Sequence, residues 1–231
     1  GIPDVRPCMK SLHENTNQKY RQLLFVLAIT FMVSPFLKAG IGNILSISLL
    51  LYAIIVVINS FALPRRLLTV YGAIAITAFC LEVISTLNEV TYLNQPFTLI
   101  SQIIFAIYLA GAAYWIGRDI FTAPNVTLDT VRGGISVYML IGFVWALLYG
   151  IVNTLDANAF SQPLLQQDSY LRTIHFSFTT LTTLGYGDIV PLSEVAQVLT
   201  NLEAIVGQMY SSVLIAILIG SYLAQRPNQR R

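Results

Sequence analysis

Long apolar runs alternate along this chain with short polar breaks, and run length is the first property that constrains the fold. A bilayer hydrocarbon core of about 30 Å is crossed by roughly 20 helical residues. Six segments fit or approach that length: residues 22–37, 41–63, 67–90, 96–117, 133–153 and 193–223. The first is the shortest and contains Pro35. Between the runs lie "KAG", "PRR", "TYLNQP", "RDIFTAPNVTLDTVR" and a long polar stretch from Thr154 to Leu192. Each break carries charge or turn chemistry. The pattern predicts an all-α membrane protein with six transmembrane helices. It divides into a polar leader over 1–21, a four-helix part over 22–117, a linker over 118–132, a second membrane part over 133–224, and a short tail over 225–231.

Composition agrees with that reading. Of 231 residues, 55% are hydrophobic and 10% charged, where a soluble domain carries about 25% charged. The net charge, 13 basic minus 11 acidic or +2, gives no broad basic surface, so nucleic acid is excluded as a partner. The distribution of charge sets the orientation, because Lys and Arg accumulate on the cytosolic side. With the N-terminus inside, Arg6, Lys10, Lys19, Arg21, Arg65, Arg66, Arg118, Arg132, Arg226, Arg230 and Arg231 are cytosolic, and only Lys38 and Arg172 are outside. Both termini are therefore expected in the cytosol of a multi-pass plasma-membrane protein, with Thr154 to Leu192 on the outer side. The "NVT" at Asn125 then faces the cytosol and is no glycosylation acceptor. Cys8 and Cys80 are too few for a disulfide framework, and Cys80, inside an apolar run, is expected to pack as a small hydrophobe. No metal-binding spacing occurs, and the leader lacks the apolar core of a secretory signal.

The outer stretch contains the chemistry. "YLRTIHFSFTTLT", residues 170–182, reads as a helix over 169–182 capped by Asp168 or Ser169, and it is too short to span. It runs directly into Thr183-Leu184-Gly185-Tyr186-Gly187-Asp188, bounded by Pro191. Irregular backbone at membrane depth must be satisfied by protein or line a cavity. A helix dipping in from outside aims its carbonyl end, about half a negative charge, at the bilayer centre and favours a cation there.

The stretch "TTLGYGD", residues 182–188, resembles the signature filter of potassium channels, usually TVGYG, with Leu184 at the commonest valine position. The resemblance implies a re-entrant pore helix and selectivity filter between helices five and six. Thr183, Leu184, Gly185 and Tyr186, with Gly187 completing the turn, would direct backbone carbonyls at a central axis where they replace the hydration shell of K⁺. K⁺ ions are then the only cofactor, with no organic group. Carbonyls of successive residues share one axis only if backbone hand alternates, which Gly185 and Gly187 permit. Leu184 and Tyr186 would point outward, Thr183 would add its hydroxyl as innermost ligand, and Thr182 and Asp188 would support the filter. One chain supplies one loop, so a closed ring implies a homotetramer in lipid. Residues 193–223 resemble the pore-lining inner helix. Gly207 falls at the hinge glycine or serves close packing, and Gln208, Ser211 and Ile215 would face the cavity.

Six spans resemble the voltage-gated plan, with one departure. The fourth, "PFTLISQIIFAIYLAGAAYWIG", has no arginine, and Arg118 stands only at its cytosolic end, so steep voltage gating is not expected. Glu82 and Glu203 lie inside apolar segments. Glu203 turns away from the cavity and is expected to brace the filter, as a protonated acid or through Thr179 or Thr180; external pH sensing is its second reading. His175 and Phe176 stand where the family often carries paired tryptophans around the filter tyrosine, with His175 expected to be packed and neutral. Tyr92, Tyr114, Trp115 and Tyr222 read as interfacial anchors. The sequence thus predicts a passive K⁺ channel and not an enzyme. Its alternatives are a weakly selective cation channel and a non-conducting membrane sensor with a filter-like loop.

Overall fold

The computed structural model describes residues 19–33, 48, 69–70, 72–74, 76–77, 80, 91–123, 126–165 and 171–225, with backbone alone for 19, 91–95, 97, 218 and 221–225. The named helices are α1 (Lys19–Val33), α2 (Thr91–Phe121), α3 (Leu128–Leu155), α4 (Leu171–Leu181) and α5 (Glu194–Gln225). Among the described residues three helices are long and apolar enough to cross a membrane: Thr98–Phe121, Leu128–Leu155 and Glu194–Ile217; α1 is a shorter apolar helix. The span expected over 41–63 apart from residue 48, most of 67–90 with Glu82, and Cys8, Pro35, Lys38, Asp168 and Ser169 lie outside the described residues.

Several expected boundaries move, the fourth span beginning at Thr91 and not at Pro96. Helix α1 begins at Lys19, inside the stretch read as leader. The linker expected over 118–132 shrinks to residues 122–127, because α2 stays helical through Phe121 and α3 starts at Leu128. The cause at α3 is a reciprocal cap: Thr130 N–H donates to Thr127 Oγ1 (3.3 Å) and Thr127 N–H to Thr130 Oγ1 (3.1 Å). Two donors that water would otherwise serve are satisfied locally, and Asp129 follows in the positively polarised first turn. The helix thus extends beyond its apolar run. Cys80 is exposed instead of packed; in lipid a small apolar side chain faces hydrocarbon as readily as protein.

Helix α3 is the hub. In hydrocarbon the hydrophobic effect does little between helices, so close approach over small residues carries the packing. Gly133 lies under Tyr20 and Ile120, Gly134 under Leu214, and Gly142 under the Phe178 ring. On one side Tyr20, Leu23 and Leu27 of α1 and Phe105, Tyr108, Leu109, Ala112, Ile116 and Ile120 of α2 form a core with Val137, Leu140 and Phe143 of α3. Phe178 of α4 meets Phe143 of α3 and Phe31 of α1, with ring centroids 5.6 and 4.7 Å apart. The first helix therefore touches α4 of its own chain. A second core, toward the C-terminal end of α3, joins Tyr149, Phe160, Leu164, Phe176, Ile189 and Ala196.

Candidate functional site

Helix α4 has 11 residues, about 16 Å at 1.5 Å per residue, or half a bilayer core. It is held by a buried polar stripe at helical spacing, Thr173, Ser177 and Thr180, and by the rings of Phe176 and Phe178. At its end the loop begins through hydrogen bonds that all use N–H groups. Thr183 N–H donates to Thr180 O (2.9 Å), and Leu184 and Gly185 N–H both donate to Thr179 O (2.8 and 3.1 Å). Among the described residues, no hydrogen bond is made to the carbonyls of Thr183, Leu184, Gly185 or Tyr186. These carbonyls are free to accept.

The backbone changes hand along this loop. Thr183, Gly185 and Gly187 have φ of 57°, 53° and 77°. Glycine takes this region without penalty; for Thr183, β-branched, it is a strained conformation. The loop's return is anchored to the segment after α3. Phe160 pairs with Pro191, Ser161 N–H donates to Val190 O (2.9 Å), Leu192 N–H to Ala159 O (2.8 Å), and Gln162 Nε2 to Asp188 O (3.1 Å). The loop is thus clamped at both ends and open along its length.

His175 and Phe176 part company. His175 stacks on Tyr186 (centroids 5.8 Å, interplanar 8°), and its Nε2 lies 3.0 Å from Asp188 Oδ2. It is part-exposed at the loop, not enclosed. Slight desolvation pushes the Asp188 carboxyl upward, but the His175 hydrogen bond and the N–H groups of Asp188 and Ile189 hold it below the usual carboxylate range. Phe176 turns the other way, into the second core against Tyr149 (4.9 Å) and Phe160 (5.4 Å). Thr182 Oγ1 donates back to Phe178 O (2.6 Å).

Behind α4, Glu203 of α5 is fully buried. Its carboxyl meets the hydroxyls of Ser177 (2.6 Å) and Tyr149 (2.5 Å), not those of Thr179 or Thr180; Thr179 Oγ1 donates to Phe176 O instead. Gly207 lies against the end of α4, where a Cβ would fall 2.0 Å from the Leu181 carbonyl oxygen. That carbonyl also accepts from Tyr138 Oη (3.2 Å). Gln208 and Ile215 are exposed and Ser211 half-buried, its Oγ donating to Gly207 O. Tyr114 and Trp115 pack edge to face near the end of α2, with Arg118 over the indole at 5.7 Å; the side chains of Tyr92 and Tyr222 lie outside the described residues.

Sequence reasoning misses Tyr138, Tyr149, Gln162 and Ser177. Only the stripe of Thr173, Ser177 and Thr180 was a signal, since polar residues at i, i+4 and i+7 of an otherwise apolar helix mark a face that needs partners.

A family model described as "Ion channel" matches residues 133–223, which take in most of α3, all of α4, the loop and nearly all of α5. The chain is similar to the voltage-gated potassium channel Kch of Escherichia coli (strain K12), 26% identical over 170 residues, which is 74% of this chain and 37% of Kch. The chain thus spans little more than a third of that relative's length. No solved structure matches it. Residues 133–223, an open carbonyl loop framed by two helices long enough to span a membrane, are thus similar to an ion-channel domain, and the chain is similar to a potassium channel.

Proposed function

We propose that the protein conducts K⁺ passively and selectively through a ring of four copies of the loop, in the plasma membrane with both termini cytosolic. The observation that carries this reading is the loop itself, whose N–H groups are tied down, whose carbonyls are free, and whose backbone changes hand at 183, 185 and 187. That arrangement suits a dehydrated cation held by carbonyl dipoles. Thr183, Leu184, Gly185 and Tyr186 are its ligands, Thr183 adding its hydroxyl. No bond is made or broken, so the protein is a channel and not an enzyme.

Four copies are favoured by the face of α5. Of the most apolar stretch of this helix 11% is buried within the chain, against 44% for α2 and for α3. Val198, Leu202, Ile205 and Met209 stand exposed, an apolar face suited to identical neighbours around an axis. Gln208, Ser211 and Ile215 then border the water-filled cavity. Steep voltage dependence is not part of the proposal, because α2 carries no arginine before Arg118 and moving charge is what couples a channel to the field.

A second reading, weak selectivity among cations, is favoured by His175, the one ring that stacks on Tyr186 among the described residues, while Phe176 faces away. Reconstitution into liposomes with K⁺ on one side and Na⁺ on the other separates the readings. A reversal potential near the K⁺ value supports the proposal, one near zero supports weak selectivity, and no current supports a non-conducting sensor.

A further inference from the structure

The polar knot behind α4 contains more acceptors than its hydroxyl hydrogens can serve. Ser177 Oγ lies 2.7 Å from the Gly142 carbonyl oxygen and 2.6 Å from Glu203 Oε1. Both are hydrogen-bond lengths for oxygen pairs. A hydroxyl has one hydrogen, a carbonyl none and an ionised carboxylate none. With Glu203 ionised, one of these contacts would set lone pair against lone pair in a place the solvent does not reach. Tyr149 cannot help, because its hydrogen is committed to Oε2 at 2.5 Å.

The count closes when Glu203 brings a hydrogen of its own. Oε1–H donates to Ser177 Oγ, Ser177 Oγ–H donates to Gly142 O, and Oε2 accepts from Tyr149. Every group in the chain is then satisfied and none is charged. The surroundings agree. Facing Glu203 are the Tyr149 phenol and Gly142 carbonyl of α3 and Ser177 of α4, with Thr200 of α5 bonded to Tyr149. Among the described residues no Lys, Arg or His pairs with Glu203, and an unpaired charge at that depth is expensive.

We infer that Glu203 works as a neutral carboxylic acid, a positioning residue whose hydrogen-bond chain ties inner helix, pore helix and outer helix together behind the filter. The tie acts where it matters. Ser177 lies two residues before Thr179, the carbonyl that holds the N–H groups of Leu184 and Gly185. Losing the tie lets that turn, and the carbonyls beyond it, drift from one spacing.

The positioning role rests on reading residues 183–187 as a K⁺ filter, whereas the proton on Glu203 does not, and the test separates them. Infrared difference spectra of the full purified chain against E203Q at neutral pH should show a protonated-carboxyl C=O band, shifted in D₂O and missing from the variant. A wild type without that band overturns the neutral acid, whatever the channel conducts. In bi-ionic recordings E203Q, whose amide donates to Ser177 and accepts from Tyr149, should keep the wild-type reversal potential. E203L, and more mildly S177A, should lower the K⁺ to Na⁺ permeability ratio, by about tenfold for E203L, as loss of one net hydrogen bond implies. Wild-type selectivity in both E203L and S177A overturns the positioning role; E203Q shifting as far as E203L overturns the neutral acid. A wild type that does not prefer K⁺ overturns the filter reading and the positioning role with it, while the infrared band still decides the proton.

Discussion

Gly207→Ala inserts a methyl group between α5 and the end of α4, where an ideal Cβ falls 2.0 Å from the Leu181 carbonyl oxygen, 2.9 Å from its carbon and 3.0 Å from its Cδ1. Even the closest favourable carbon–oxygen contacts are about 3.3 Å, so the two helices must part by roughly 1.3 Å there. The obstructing atom is backbone and cannot rotate aside. Overpacking costs about 1–3 kcal/mol, and an overlap with fixed backbone belongs at about 3. Alanine's helix propensity offsets about 1 kcal/mol of that, leaving a net loss of about 2 kcal/mol. At ~2–4 °C per kcal/mol for a chain of this size, the melting temperature should fall by about 4–8 °C. Thermal unfolding in detergent, followed by tryptophan fluorescence, reads the shift. Gly220→Ala is the control, since nothing lies within 4 Å of its added Cβ, and it should melt at or slightly above wild type. If Gly207→Ala melts with the control, the close contact is not what position 207 is for. The hinge reading would then stand, with alanine merely stiffening the helix.

Gly185→Ala and Gly187→Ala should each abolish K⁺-selective current while the protein still reaches the membrane, because a side chain at φ of 53° or 77° costs roughly 1–2 kcal/mol in every copy; retained selectivity in liposome recordings would count against the alternating backbone. Asp188 gives a pH prediction with a definite sign. A carboxylate held below its ordinary pKa contributes above that ordinary value, about 3.9, and its contribution is lost as pH falls through the lower folded value. Asp188→Asn should therefore differ from wild type in reversal potential from neutral down to an external pH of about 5, and the two should converge only in stronger acid; convergence already near pH 6 would contradict the His175–Asp188 contact. Cysteines at Phe31 and Phe178, in a background with Cys8 and Cys80 replaced by alanine, should be bridged within one chain by a short thiol reagent, as their rings are 4.7 Å apart. Cross-linked dimers on a denaturing gel would instead place Phe31 against a neighbour's α4.

The loop at 183–188 is legible in the sequence because its requirement is local. Two glycines supply the backbone hand, and they sit between two runs long enough to frame them. Run length likewise makes α3 and α5 readable to within a turn or so at each end. The extension of α3 back to Leu128 is harder to read, since hydropathy marks where lipid ends and not where a helix ends. The Thr127–Thr130 pair that caps it, three residues apart, is the signal hydropathy overlooks. Tyr149 and Ser177 are illegible for another reason. Glu203 announces that it needs partners, but which hydroxyls arrive depends on how three helices rotate about their axes, a fact spread over residues 26 and 54 positions away. His175 and Phe176 show the same limit at shorter range, because neighbours on a helix point about 100° apart and only one can reach Tyr186.

The brevity of the connection between α2 and α3 bears on how the assembly comes about. Seven peptide steps separate Phe121 from Leu128, a reach of at most about 25 Å even fully extended. The core that joins α1, α2 and α3 is built within one chain. In the proposed tetramer a protomer then completes its lateral packing alone, in a first-order step, and only the meeting of pore faces depends on concentration. Subunits trade places as whole units. Channels formed from a mixture of wild-type and altered chains would follow binomial statistics, each lesion travelling with the entire protomer that carries it.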